Sequence, residues 1–405
     1  MSARTSASAL PRLAVLFRSL GPYHHARLRA LGSRCRLAAL EVSSVDPVYA
    51  WAKVEGAAGF ERAVLFEDDL ETVGGMRLLR RVRQALDALA PDAVAIPGWS
   101  EPAALAALLW CLRRRRPAVL MADSTAADEI RRPGREALKR RVVRLYGAAT
   151  VAGAPQRDYA CALGLPRDRV FCGYDVVDND HFARGADLAR ARAADWRRRL
   201  GLPGPYFLAC GRFVGKKNLL GLLEAYARYR ARADGRRWRL VILGDCDLRP
   251  QLASRIERLG IARDVLLPGF RQYGELPVWY GLAGAFVHAS TTEQWGLVVN
   301  EAMASGLPVL VSERCGCAPD LVRAAANGFT FDPRDIEALA GLMQRLAAMP
   351  DERRQAMARV GRQIIAGWGP ERFADGLTRA VEVARSRPPP ASWLDRALLL
   401  ALVHR

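Results

Sequence analysis

The chain has 405 residues, 51% of them hydrophobic and 25% charged, the make-up of a globular protein with ample core. Lys and Arg number 61 against 42 Asp and Glu, a formal charge of +19. No stretch of about 18 apolar residues is present, so no membrane span is expected, and the eight cysteines are too scattered for a disulfide framework. Met1 to Pro11 holds no long apolar run, so no secretory signal is expected either. The positive charge is carried almost wholly by arginine, the lysines being Lys53, Lys139, Lys216 and Lys217. It reads either as a surface for an anionic partner or as compositional bias. The densest clusters, Arg113–Arg116 and Arg131 to Arg144, fall in the N-terminal half.

In chain order, Leu13 to Phe17 reads as a strand, followed by the loop Arg18 to His25 and a helix to about Leu31. Further strands are expected at Arg36–Val42, Ala63–Phe66, Ala93–Ile96, Ala118–Met121, Ala148–Val151 and Val170–Cys172. Helical spacing lies between them, notably over Met76–Leu89, Pro102–Leu112 and Glu136–Tyr146. A polar helix over Asp187–Leu200 leads to the break Gly201-Leu-Pro-Gly-Pro205. A second set of strands follows at Tyr206–Cys210, Arg239–Leu243, Val265–Leu267, Ala285–His288, Pro308–Val311 and Gly328–Phe331. Helices from Asp335 to Ile365 precede the break Trp368-Gly-Pro370, and Glu371–Arg385 is long enough to cross back to the first half. Such alternation predicts parallel sheets, here two similar α/β domains in tandem. The boundaries expected are a first domain over 1–185, a linker over 186–204, a second domain over 205–370, a crossover helix over 371–387 and a tail over 388–405. The tail's apolar run, Trp393 to Val403, is too short to span a bilayer and is expected to dock on the protein.

Chemistry concentrates between the strands Ala285–His288 and Pro308–Val311. Gly296 to Ser305 has helical spacing, so strand, polar loop, helix and strand form a parallel crossover, and such sheets hold ligands at the carboxyl ends of their strands. Glu293 lies in the loop and Glu301 inside the helix, within the small and apolar run Val-Val-Asn-Glu-Ala-Met-Ala. A carboxylate there is costly unless hydrogen-bonded, which sets Glu301 apart from a solvated surface glutamate. Two acceptors at that spacing suit a ligand with hydroxyls at both ends. The second signal is Cys210-Gly-Arg-Phe-Val-Gly-Lys-Lys-Asn218, between a strand and a helix whose N-terminus would offer free N–H groups at the same mouth. Arg212 and Lys217 add cations of the kind a diphosphate leaving group requires. Neither a P-loop nor a dinucleotide glycine pattern is present. Cys315-Gly-Cys317 has no second pair or nearby His and reads as structural rather than metal-binding.

These residues resemble those of a family 4 glycosyltransferase of the GT-B fold, of the bacterial polysaccharide-type subgroup: two Rossmann-like domains with a cleft between and a C-terminal crossover helix. The resemblance is specific from about Tyr206 to Pro333 and architectural before it. It implies that Glu293 touches the donor sugar, Glu301 the nucleotide ribose, and Arg212 and Lys217 the diphosphate. It further implies that the backbone of Gln294, Trp295, Gly296 and Leu297 faces sugar and phosphates, that Gly244 and Phe270 lie near the nucleobase, and that Gly21 approaches the phosphates. Many relatives carry a His after the fifth strand of the first domain; here Asp123 and Ser124 stand instead, with His24 or His25 expected to face the cleft. Trp99, Ser100 and Glu101 are acceptor candidates, and His288 reads as core. The implied chemistry is transfer with retention, without a metal and without a cofactor, from a UDP-, GDP- or ADP-linked sugar to a hydroxyl acceptor that includes lipid-linked ones. Cell-surface polysaccharide or glycolipid assembly, in the cytoplasm or at the inner face of the membrane through the basic first domain, is the implied setting.

Three rivals have sequence features of their own. Asp245-Cys-Asp247 or Asp178-Asn-Asp180 could be metal-binding Asp-X-Asp motifs. A nucleotide-sugar epimerase of the same fold would need no acceptor. A nucleic-acid binder would use the +19 charge, but no nucleic-acid motif or aromatic platform stands out, so nucleic acid is not an expected partner.

Overall fold

The computed structural model describes residues 11–44, 51–52, 59–67, 73–202, 204–232 and 237–404. The first unit runs β1 (Arg12–Phe17), α1 (Pro22–Gly32), β2 (Arg36–Ser43), β3 (Glu61–Phe66), α2 (Gly75–Leu89), β4 (Ala93–Pro97), α3 (Pro102–Arg114), β5 (Ala118–Ala122), α4 (Pro133–Val143), β6 (Ala148–Val151), α5 (Ala154–Ala162) and β7 (Val170–Cys172). Helices α6 (Asn179–Ala191) and α7 (Ala193–Leu200) follow. The second unit runs β8 (Tyr206–Cys210), α8 (Leu219–Arg232), β9 (Arg239–Leu243), α9 (Arg249–Arg258), β10 (Val265–Gly269), α10 (Leu276–Leu282), β11 (Ala285–His288), α11 (Leu297–Ala304), β12 (Val309–Ser312), α12 (Ala318–Leu321), β13 (Gly328–Phe331), α13 (Ile336–Ala348) and α14 (Asp351–Ala366). The chain ends with α15 (Pro370–Ser386) and α16 (Trp393–Val403).

Both sheets are parallel throughout, in the orders β3-β2-β1-β4-β5-β6-β7 and β10-β9-β8-β11-β12-β13. Each order reverses direction once, between β1 and β4 and between β8 and β11, and this switch point leaves a crevice at the carboxyl ends of the strands. Parallel strands are covered on both faces, so they read as continuous apolar runs. In β1, Ala14 and Leu16 pack on one side while Leu13, Val15 and Phe17 pack on the other. The architecture is therefore two tandem Rossmann-like α/β units, the GT-B arrangement.

Helix α15 crosses back to the first sheet. Its Phe373, Ala374, Leu377 and Ala380 share a core with Val15, Phe17 and Met121, and Glu371 takes an ion pair from Arg34 at 2.7 Å. The tail docks as α16 along α3, with Leu399 and Val403 buried and Trp393 and Leu394 exposed. Among the described residues no helix is long and apolar enough to cross a membrane.

Two local features differ from the sequence reading. The polar helix starts at Asn179, not Asp187, because Asp178 caps it by accepting from His181 N at 3.0 Å. It also breaks at Arg192, giving α6 and α7, and α6 packs on α10 so closely that a Cβ on Gly281 would fall 2.6 Å from Ala186 O. Three of the seven cations in the basic run Arg131 to Arg144 are neutralised. Arg131 pairs with Asp128, Glu129 and Glu136, Lys139 with Glu129 and Glu136, and Arg141 with Asp395.

Candidate functional site

Between the carboxyl ends of the two sheets lies a cavity of about 910 Å³. Gly21, His24, Asp123, Arg212, Lys217, Gly244, Phe270, Glu293, Gln294, Trp295, Gly296, Leu297 and Glu301 all border it, drawn from both units. Three loops of the second unit, β8 to α8, β9 to α9 and β11 to α11, form much of its side of the wall, facing residues of the first unit from Ser19 to Asp175. They interlock through backbone. Thr291 N donates to Lys216 O at 2.9 Å and Gly211 N to Leu243 O at 3.0 Å. Gly244 sits where β8 and β9 loops touch, with φ of +133° and room for a Cβ only 2.0 Å from Gly211 O, so a side chain cannot be accommodated.

Glu293 is nearly buried, and its backbone is held by Gly316, whose N–H donates to Glu293 O at 3.0 Å. Its carboxylate pairs with Lys217, with Lys216 at 3.7 Å and with His288 at 3.4 Å. Burial pushes this carboxyl up, but the hydrogen bond from His288 and the charges of Lys217 and Lys216 outweigh it and hold it well below the usual range. His288 was read as core. It is buried, yet it also fixes Glu293.

Glu301 is fully buried, and both its oxygens are engaged: Tyr23 donates to Oε1 and Tyr280 to Oε2, each at 2.6 Å. Burial raises its pKa to about 7 even though both tyrosines oppose the rise. Tyr23 belongs to α1, so this hydrogen bond joins the two units across the cavity. Further bridges are Ala154 N to Asp320 Oδ2 at 2.8 Å and Gln156 to the carbonyl of Gln294. Tyr23, Tyr280, Lys216 and Arg27 were not singled out from sequence, where nothing but their remote partners marks them.

At the N-terminus of α11, Gly296 adopts φ of +104°, a left-handed conformation that suits glycine, and Gly296, Leu297 and Val298 border the cavity. That helix end presents free N–H groups and the positive end of the dipole to it. The expectation placed this feature on α8 instead. A short 3₁₀ turn, Gly215–Lys217, and Asn218 at φ of +52° intervene, and the first turn of α8 lies outside the cavity wall. The turn still delivers Lys216 and Lys217 to the wall, beside Arg212.

Of the first-unit candidates, His24 borders the cavity. Its Nδ1 accepts from Gly21 N at 3.1 Å, and burial with the charge of Arg27 lowers its pKa to about 3, so it is neutral with the proton on Nε2. His25 instead packs on Phe60 at 5.4 Å and does not border the cavity. Asp123 borders it too, and burial followed by the charge of Asp175 raises its pKa to about 7. Asp175 itself pairs with the buried Arg27 at 3.1 Å. Trp99, Ser100 and Ser124 are not in this cavity; they border a neighbouring one. Phe270 packs against Trp51, with ring centroids 5.1 Å apart and the rings tilted by 58°, and both border the cavity. The Asp-X-Asp candidates have structural partners: Asp178 caps α6, Asp180 pairs with Arg184 at 2.9 Å and Asp245 with Arg249 at 3.3 Å. Cys315 and Cys317 are free and buried.

Residues 193–364 match the family model described as "Glycosyl transferases group 1". Alpha-D-kanosaminyltransferase of Streptomyces kanamyceticus is 28% identical over 246 residues, 60% of this chain and 54% of that protein. The chain spans about half the length of the curated relatives it matches, for example 50% of an uncharacterized glycosyltransferase of Methanocaldococcus jannaschii. Among solved structures, a glycosyltransferase from Rickettsia africae superposes with a TM-score of 0.72 at 13% identity, covering 92% of this chain and 98% of that one. An Anabaena protein solved in complex with UDP and glucose gives a TM-score of 0.69 at 18% identity over 93% of this chain and 99% of that one. The stretch that matches the glycosyl transferases group 1 model, residues 193–364, includes the second unit's share of the cavity wall from Arg212 to Glu301, and the two parallel sheets share the GT-B fold of these solved structures.

Proposed function

We propose that the chain is a glycosyltransferase that moves a sugar from a nucleoside diphosphate sugar to a hydroxyl acceptor, with retention and without a metal. The observation that carries the reading is the meeting of Arg212, Lys217, Glu293 and Glu301 on one interdomain cavity. A donor laid along it would place its diphosphate at Arg212, Lys217 and the N-terminus of α11, its ribose at Glu301, and its sugar at Glu293 with Asp123 and His24. The base would lie by Gly244 and Phe270. The family match and neighbours solved with UDP or a UDP-sugar support a nucleotide-sugar donor.

The chemistry then depends on charge developing on the departing diphosphate. Fixed cations and helix N–H groups stabilise that charge more in the transition state than in the bound donor. Glu293, held ionised by Lys217 and His288, accepts from sugar hydroxyls and orients the anomeric carbon. Front-face attack lets the departing diphosphate take the acceptor's proton, so no paired carboxylate acid and nucleophile is required. An epimerase would need no acceptor space, and the second cavity beside Glu293 favours the transferase. A setting in cell-surface polysaccharide or glycolipid assembly, at the inner face of a membrane, accords with the exposed arginines at the end of α3.

Nuclear magnetic resonance of the product formed from a panel of nucleotide sugars tests the reading. An α-linked sugar from an α-linked donor, formed equally in EDTA, is expected. An inverted product, or activity lost in EDTA and restored by a divalent cation, would overturn it.

A further inference from the structure

Of the described residues that border the donor cavity, six are carboxylates, and five of these have partners. Glu41 is paired with Arg62 at 2.6 Å, Asp175 with Arg27 at 3.1 Å, Asp245 with Arg249 at 3.3 Å and Glu293 with Lys217, while Glu301 accepts from Tyr23 and Tyr280. Asp123 is the sixth. Among the described residues no other side chain donates to it or pairs with it.

The cations nearest to it are committed elsewhere. Arg27 is buried, with Nη2 on Asp175, Nε donating to Val176 O at 3.2 Å and its guanidinium 5.0 Å from the Tyr174 ring centroid. So held, it answers for one acid and not two. His24, the other basic side chain that α1 brings to the cavity, is kept neutral by burial. Lys216 and Lys217 face Glu293. Asp175 stands within electrostatic reach of both Asp123 and Glu293, so the three acids form one run along the part of the wall assigned to the sugar. Burial, and then the charge of Asp175, makes the ionised form of Asp123 costly. A sugar hydroxyl would hydrogen-bond this carboxylate and leave its charge unbalanced, whereas an ammonium would do both. A divalent ion would find too few ligands, since no group of three metal-ligating side chains forms among the described residues.

We propose that the donor sugar is an amino sugar whose ammonium pairs with Asp123. The inference rests on the donor reading given under the proposed function and narrows it from any sugar to one that carries a positive charge. Asp123 sets specificity; it answers a charge on the sugar, while Arg212 and Lys217 answer the diphosphate.

The test uses the full chain and begins with which of UDP, GDP and ADP binds. Hexoses of the gluco, galacto and manno series linked to that nucleotide are compared, by displacement calorimetry, with analogues carrying an amine in place of one hydroxyl and with the N-acetyl forms of those amines. An ion pair in place of a hydrogen bond to a neutral hydroxyl predicts at least about a tenfold preference for one amine over its hydroxyl parent. Acetylation removes the charge and should abolish that preference. Asp123→Asn keeps the shape and loses the charge, and should bring the preference below about threefold; its affinity for the nucleoside diphosphate alone reports whether the variant is folded. A preference below threefold for every amine in the unaltered protein, or one that Asp123→Asn retains, would overturn the proposal and leave the donor reading standing. Failure of all three nucleotides to bind would overturn the donor reading and this inference with it.

Discussion

Lys217→Ala removes the ammonium that pairs with Glu293 and borders the donor cavity. Two effects follow, and they can be separated. Catalytically, one of the cations at the diphosphate is lost while Arg212 and Lys216 remain on the wall. Loss of one such charge-stabilising donor lowers kcat about a hundredfold to a thousandfold, or about 2.7–4 kcal/mol. Structurally, Glu293 keeps only His288 at 3.4 Å and Lys216 at 3.7 Å, so its carboxyl moves up from its depressed value. A depressed carboxyl stabilises the fold above the unfolded pKa and loses that contribution as pH falls, so the substitution should cost stability at pH 7 and cost less in acid. Breaking a buried pair by removing one partner costs about 3–5 kcal/mol, an upper limit here because two partners stay. The assay is single-turnover transfer at saturating donor, with chemical denaturation at pH 7 and pH 4 beside it. A rate within threefold of the unaltered protein would refute the diphosphate assignment, whatever the stability result.

Other outcomes follow from the same geometry. Glu301→Gln removes a carboxylate that the donor ribose would bond, and a lost hydrogen bond to a charged group predicts about a tenfold to hundredfold weaker nucleoside diphosphate affinity by calorimetry. Because the Glu301 carboxyl titrates near 7, affinity in the unaltered protein should rise between pH 6 and pH 8 more steeply than in the Gln variant; parallel profiles would contradict the ribose contact. Its raised pKa also means that ionisation works against folding, so this group's contribution to stability is full below its ordinary value and falls as pH rises through about 7. Tyr23→Phe strips one of the two donors from Glu301 and should cost about 1–3 kcal/mol in denaturation, with no loss expected from Tyr23→Phe once Glu301 is already Gln. Asp123→Asn should leave nucleoside diphosphate affinity unchanged and alter the choice among sugars, read by competing donors in one reaction.

Much of this site was legible because one segment, Ser290 to Pro308, carries its own logic. A glutamate inside Val-Val-Asn-Glu-Ala-Met-Ala is an expensive burial, and the two tyrosines that satisfy it explain how it is tolerated. The parallel sheets were equally readable, since buried strands such as Leu13–Phe17 and Val309–Ser312 are short apolar runs between helical repeats. What sequence could not show is pairing at long range. Tyr23 and Glu301 are 278 positions apart, and nothing local in Gly-Pro-Tyr-His-His indicates that the tyrosine rather than a histidine reaches the carboxylate. The N-terminus of α8 misses the cavity wall for a similar reason, because a short 3₁₀ turn and the left-handed Asn218 intervene after β8, and a single left-handed residue leaves no mark in the spacing. Asp123 and Ser124 were expected together at the donor sugar, yet these neighbours after β5 part company, Asp123 going to the donor cavity and Ser124 to the second one.

The most direct test of the central claim is isothermal titration of UDP, GDP and ADP into the unaltered protein and into Arg212→Ala and Glu301→Gln. The structure predicts one-to-one binding of at least one of the three, within the micromolar to millimolar range usual for enzyme substrates, and weakened in both variants. Absence of binding by all three, or equal binding in both variants, would contradict it.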